Sequence, residues 1–312
     1  MHLKYLLPAL ALVVAIALLC GCTGPAPAGG KYANITDNFG RVVVLDKEPQ
    51  RIVSLSPANT EMLFDLGLGD RIVGDTDFCD YPPAAKNITH VSGFTGISME
   101  KLVAANPDVI FAEDITGKDV VDQLTSMGYR VIAFKNTNLS MIEQNIRIMG
   151  QATGTQGKAN ALVSDISARV QSVSARTARL TAAQKPSVLL MAGYLAGQPI
   201  YVYGSGTYGD DLFAMAGGTN AAHDVSSFKV MSTEAIIQAD PDYIVVPVDG
   251  TMTTTADFDY IRFGNESWMK GLKAVQNGHV VMVDGNLMLR PGPRLPDAGL
   301  VIARAIHPDL FP

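Results

Sequence analysis

Residues 98–110 read SMEKLVAANPDVI, and residues 232–244 read STEAIIQADPDYI. The two stretches align without a gap: Ser98 falls on Ser232, Glu100 on Glu234 and Pro107-Asp108 on Pro241-Asp242, with apolar residues in the same places between. A motif repeated at long separation points to two halves built alike. In the first copy Ser98 suits a helix N-cap, Met99 to Ala105 forms a short helix, and Pro107 ends it by disfavouring the helical conformation at Asn106. A strand-like run follows each copy, DVIFA in the first and DYIVVPV in the second, so each is one helix-to-strand step.

Outward from the motif the same alternation continues. ANITDNFGRVVVL, from Ala33, reads as a β-hairpin with Gly40 at the turn. RIVSL reads as a short buried strand entering SPANTEMLFDLGLG, a helix capped by Ser56, begun by Pro57 and ended by Gly67 and Gly69. RIVGD, YRVIAF, SVLLMAG, PIYVY and HVVMVDG read as strands; DVVDQLTSMG, GDDLFAMAGG and LPDAGLVIARAIHP read as helices. Such alternation is the pattern of parallel α/β units. Between the two halves runs a proline-free segment in which Ala161, Leu162, Ile166, Val170 and Val173 recur near helical spacing, which predicts one long helix from Thr155 to Ala183.

The first residues differ from everything that follows. Lys4 gives a thin positive region, Leu6 to Leu19 is apolar apart from Pro8, and LCGC follows. This reads as an export signal with a lipobox: Gly21 is small at the cleavage position, and Cys22 becomes the lipidated first residue. An uncleaved membrane anchor is the alternative, and either places the body outside the cytoplasmic membrane. TGPAPAGG, Thr23 to Gly30, has the composition of a tether. The expected organisation is therefore signal and lipobox over 1–22, tether over 23–33, N-terminal α/β lobe over 34–153, linking helix over 154–184 and C-terminal α/β lobe over 185–312. Of the three cysteines only Cys79 lies in the body, so it has no internal disulfide partner, and it reads as a packed thiol.

Composition narrows the function class. Lys and Arg number 24 against 30 Asp and Glu, a formal charge of −6, and no basic run occurs, which disfavours a nucleic-acid partner. Neither G-x-S-x-G nor H-E-x-x-H appears, and the five histidines are scattered. GSGTYG, Gly204 to Gly209, fits G-x-G-x-x-G, but no acidic residue follows at the right place after a strand, and the glycines read as a tight turn into a helix. No catalytic residue, metal site or catalytic cofactor is expected.

Taken together, RIVSLSPANTEMLFDLGLGDRIVGDTDFCDYPPAAK, VSGFTGISMEKLVAANPDVIFA, AVQNGHVVMVDGN and RPGPRLPDA resemble the solute-binding proteins of cobalamin and iron-siderophore ABC importers, from about Tyr32 onward. The resemblance implies two Rossmann-like α/β lobes joined by a single long helix, with the ligand in a cleft between them. It implies a monomer, tethered by its lipid to the outer face of the cytoplasmic membrane, that delivers its ligand to a permease dimer. Glu100 and Glu234 fall on the family's docking positions. Their place in the sequence, at the second helical residue, suits the helix dipole but not a capping box. An acid repeated in both halves fits a symmetric partner that offers one arginine per subunit.

By the same resemblance, Phe78 and Phe94 match aromatic cleft residues of the N-terminal lobe, and Tyr201 and Phe228 match those of the C-terminal lobe. Glu113 stands where an aromatic is expected, and Trp268 reads as core. Aromatic walls suit a large, partly apolar ligand such as a corrinoid. A ferric siderophore would want converging arginines, for which Arg290 and Arg294 are the candidates, and haem would want an iron ligand such as His223 or Tyr201. Replacing the proposed lipidation site, Cys22→Ser, should move the folded body from the membrane fraction to the soluble one; full membrane retention on fractionation would count against lipidation there.

Overall fold

The computed structural model describes residues 32–93, 95–192 and 198–312. The export signal, Cys22, most of the tether, and Phe94 lie outside these residues. No helix among the described residues is long and apolar enough to cross a membrane.

Strands β1 (Ala33–Thr36) and β2 (Val42–Leu45) form the expected antiparallel hairpin. Gly40 sits in its turn at φ +74°, and the Asp37 carboxylate accepts the Phe39 and Arg41 amides. The N-terminal lobe then builds one sheet from β3 (Ile52–Ser54), β4 (Ile72–Thr76), β5 (His90–Gly93), β6 (Gly96–Ile97), β7 (Val109–Glu113) and β8 (Val131–Phe134). Their spatial order is β6-β5-β4-β3-β7-β8, and only β6 runs antiparallel to its neighbour. Helices α1 (Pro57–Asp65), α2 (Met99–Ala105) and α3 (Lys118–Ser126) lie between strands, and α4 (Leu139–Thr153) follows β8. α1 begins as its sequence dictates: the Ser56 hydroxyl accepts the Asn59 amide, Pro57 fills the first turn, and Gly67 follows at φ +72°.

Helix α5 (Gln156–Thr177) leads into the C-terminal lobe. There β9 (Ser187–Leu190), β11 (Thr219–Asn220), β13 (Tyr243–Val248) and β14 (Val280–Asp284) form a parallel sheet in the order β11-β9-β13-β14. β10 (Ile200–Tyr203) and β12 (Phe228–Met231) form a separate antiparallel ribbon. Helices α6 (Tyr208–Ala216), α7 (Thr233–Ala239), α8 (Thr255–Arg262), α9 (Lys273–Gln276), α10 (Gly285–Met288) and α11 (Leu295–Ile306) complete the lobe.

The repeated motif is the same piece of structure in both lobes. Ser98 and Ser232 accept the amides of Lys101 and Ala235. Asn106 and Asp240 end their helices in the left-handed conformation, at φ +41° and +38°. The aspartate after each proline then ties two strand starts together. Asp108 accepts the amides of Gln50 and Arg51, just before β3, and Asp242 accepts the amide and hydroxyl of Ser187, at the start of β9. In each lobe the motif's strand is the parallel neighbour of the strand so tied.

The linking helix is shorter than its sequence predicts. α5 stops at Thr177, not Ala183. One long-range bond and one local motif mark the stop. The Thr177 hydroxyl donates to the Met215 carbonyl of α6, and Thr181 forms a capping box with Gln184 that starts a separate 3₁₀ turn over Ala182–Gln184. At about 1.5 Å per residue α5 still runs about 33 Å. It buries Ala159, Val163, Ile166 and Val173 in a core that also holds Ile52 and Phe111 of the first lobe and Val188 and Val245 of the second. Each lobe adds a further core of its own. Because Asp242 alone satisfies both the amide and the hydroxyl of half-buried Ser187, Asp242→Ala should lower unfolding free energy by about 1–3 kcal/mol in urea titration; an unchanged midpoint would show that the strand start needs no such tie.

Candidate functional site

In open α/β sheets ligands bind outside the carboxyl ends of the parallel strands. In the C-terminal lobe the ribbon beside the sheet presents the aromatic side chains. Tyr203 lies opposite Phe228 and Tyr201 opposite Val230, so these four share one face of the ribbon. Ile200, Val202 and Met231 are buried in the lobe's own core. Tyr201 and Phe228 are each 45% exposed and Val230 47%. The Tyr201 and Phe228 rings stack with centroids 5.3 Å apart, and Tyr203 tilts against Phe228 at 4.8 Å. Behind them the Tyr208 hydroxyl donates to the Tyr203 hydroxyl at 2.7 Å. Burial pushes the Tyr203 phenol up to about 12 and that of Tyr208 well above its ordinary value, so both stay neutral.

The glycines of GSGTYG make this packing possible. A Cβ on Gly204 would lie 1.9 Å from the Val225 carbonyl oxygen, and one on Gly209 would lie 2.7 Å from the Tyr203 Cβ. Gly206 takes φ +78°, and Thr207 caps α6. These are the tasks of a tight strand-to-helix turn, in line with the reading of this stretch as a turn.

The N-terminal lobe supplies the loop after β4. Phe78 and Tyr81 are 40% and 41% exposed. Between them Cys79 is buried against the hydroxyls of Thr60 and Thr76, at 3.1 and 3.2 Å, and burial raises its thiol pKa, as fits a packed thiol. Glu113 ends β7 as a buried acid, not a wall of the cleft. It accepts the Asn136 amide at 2.7 Å, Asn136 in turn accepts from Asn145, and burial raises the Glu113 carboxyl.

Arg290 and Arg294, the candidate anion ligands, are both engaged across the lobe boundary. Arg294 Nε and Nη2 reach the two oxygens of Glu61 at 2.7 and 2.5 Å, and its guanidinium lies 3.8 Å from the centre of the Tyr81 ring. Arg290 Nη1 donates to Asp80 at 2.5 Å and lies 3.7 Å from Glu61. Glu61 is only 3% exposed; burial raises its carboxyl pKa, and both arginines pull against that shift. Sequence reasoning missed Glu61, whose only signal is an acid inside the apolar run of α1.

The other expected residues fall as follows. The His223 side chain is 72% exposed and sits 3.3 Å from neighbouring Asp224. Trp268 packs partly buried against the C-terminal core, and its indole donates to Glu266. Glu100 and Glu234 occupy the second residues of α2 and α7, are both exposed, and form no ion pair with another described residue.

Comparison with known proteins follows the same outline. Residues 52–287 match the model of a family described as periplasmic binding protein. The chain is 29% identical to the ABC transporter substrate-binding lipoprotein YvrC of Bacillus subtilis, over 96% of each. It is 27% identical to the cobalamin-binding protein of Halobacterium salinarum, over 87% of this chain and 73% of that one. Among solved structures, a periplasmic heme binding protein from Pseudomonas aeruginosa superposes with a TM-score of 0.72 at 28% identity, over 83% of this chain and 93% of that one.

The inter-lobe pairing has a measurable consequence. Glu61→Ala leaves the Arg294 guanidinium without its buried counter-charge, while Arg290 keeps Asp80, and should lower unfolding free energy by about 3–5 kcal/mol in urea titration. Glu61→Gln, which keeps hydrogen-bond acceptors, should cost less. A Glu61→Ala protein as stable as the parent would show the pairs to be incidental.

Proposed function

The chain belongs to the periplasmic binding protein family, and from that premise we propose that it captures a corrinoid between its lobes and delivers it to the permease dimer of an ABC importer. Its relatives are substrate-binding proteins of such importers, not enzymes. The observation that carries the choice of ligand is a contrast within the site. The exposed side chains are the stacked Tyr201–Phe228 pair and Val230, with Phe78 and Tyr81 in the other lobe, while both arginines are paired to carboxylates of the chain itself. Broad aromatic surface with its cations already compensated favours a large neutral ligand over a polyanion. A corrin ring edged with amides has that character. Arg290 touches the site through Asp80, two residues from Phe78, where a ligand amide can share its guanidinium without supplying its counter-charge.

The family role supplies the rest of the reading. The exposed Glu100 and Glu234 dock one permease subunit each, and Cys22 anchors the chain by lipid at the outer face of the cytoplasmic membrane, where it works as a monomer.

One observation favours a second reading, capture of haem or a ferric siderophore: the phenol of Tyr201 is exposed beside the aromatic wall and is a competent iron ligand. Desalting the purified protein after mixing with cyanocobalamin or with haemin separates the two. The corrinoid reading expects red cyanocobalamin to co-elute, with Phe228→Ala and Tyr201→Ala each weakening binding by about 1–3 kcal/mol. Retention of haemin alone, with a Soret band altered by Tyr201→Phe, would overturn it in favour of haem.

A further inference from the structure

We propose that each permease contact is a two-residue post, a glutamate with an exposed β-branched aliphatic side chain one helical turn behind it: Glu100 with Val103, and Glu234 with Ile237. The proposal rests on the docking role given above to the two glutamates and adds an apolar component to it.

Val103 and Ile237 stand at matching places in the repeat, each three residues after its glutamate. Residues at that spacing share a helix face. Val103 is 61% exposed and Ile237 46%, although the residues just before them, Leu102 and Ile236, are both 0% exposed. Each helix therefore buries one aliphatic side chain in its lobe and leaves the next outside.

A single exposed aliphatic residue needs no explanation. A matched pair does, because the fold does not ask for it. β-Branched residues are weaker helix formers than the alternatives open to a surface position, and burial repays nothing here. The other matching pair exposed in both helices has diverged, Ala104 against Gln238, and exposed Lys101 is matched by Ala235, which packs against its lobe's core. What the copies keep in common on the outside is the acid and the aliphatic.

A body that offers one surface twice fits a partner that does the same, a two-fold symmetric dimer. The chemistry chooses between a protein and a lipid surface. An acid on a chain of net charge −6 is repelled by anionic headgroups, whereas a basic residue beside an apolar one on each permease subunit complements both members of the post. The glutamates then govern encounter and register, and the aliphatic contacts govern dwell time.

The test uses the protein in a Cys22→Ser background, so that no lipid anchors it, and its permease–ATPase complex in lipid nanodiscs, with binding followed against salt concentration. Thermal unfolding of each variant verifies folding. Val103→Ser and Ile237→Ser should each weaken binding about threefold to fivefold, and the double variant about tenfold or more, with the salt dependence unchanged. Glu100→Gln with Glu234→Gln should weaken binding and flatten the salt dependence. Met127→Ser, at a residue exposed elsewhere, should change neither. Normal binding by the double serine variant alongside weakened binding by the glutamine variant would overturn the apolar component and leave the glutamates as posts. Normal binding by both would overturn the docking role itself, and equal binding to empty nanodiscs would overturn the permease as occupant.

Discussion

A carboxylate shared by two guanidiniums joins the halves of this molecule. Glu61, 3% exposed, takes both nitrogens of a fork from Arg294 and lies within 3.7 Å of Arg290, which also holds Asp80. Buried ion pairs are poor sources of net stability, because desolvation offsets most of the attraction. Their use here is geometric. A bidentate pair fixes orientation as well as distance, and it sets the C-terminal residues 290–294 against α1 and the loop carrying Phe78 and Tyr81. The aromatic side chains of the two lobes are placed relative to one another by that contact and by α5, whose buried face is continuous with the core of each lobe.

The same pairing bears on the class of ligand proposed above. Arg290 and Arg294 would be the obvious ligands for an anionic chelate if they were free. Committed to Asp80 and Glu61, they leave the ribbon of Tyr201, Phe228 and Val230 as the larger part of the recognition surface we propose. That ribbon depends in turn on the absence of side chains behind it. Only glycine fits at 204, against the Val225 carbonyl, and at 209, against Tyr203. The glycine pattern that imitates a dinucleotide-binding loop is the packing condition for an aromatic wall.

The internal repeat has two layers of meaning. Its inward residues are structural: Leu102 and Ile236 fill their lobes, and Asp108 and Asp242 each pin the strand beside the motif's own. Its outward residues, Glu100 with Val103 and Glu234 with Ile237, lie outside either lobe's core. One short sequence therefore encodes a folding unit on one face of a helix and, on the other, the contact surface proposed above.

The sequence by itself determined what depends on neighbours along the chain. The Ser caps, the turn at Gly40, the glycine after α1, the helix-to-strand steps and the presence of two α/β halves all follow from local backbone preference and apolar periodicity. The aromatic residues at 78, 94, 201 and 228 were singled out only by the resemblance to the family, position by position, and not by any local signal of their own. The linking helix was legible in position but not in length: T-x-x-Q at 181–184 is a stop signal that the apolar period passed over, and the bond from Thr177 to Met215 joins residues distant in the chain. The tertiary structure alone decided the fate of charge. Nothing in TEMLF says that its glutamate will meet RPGPR, since ion pairing depends on distance in space and on burial, and both are set only when the lobes pack. That packing pairs Arg290 and Arg294 with carboxylates of the other lobe and leaves Glu113 a buried acid.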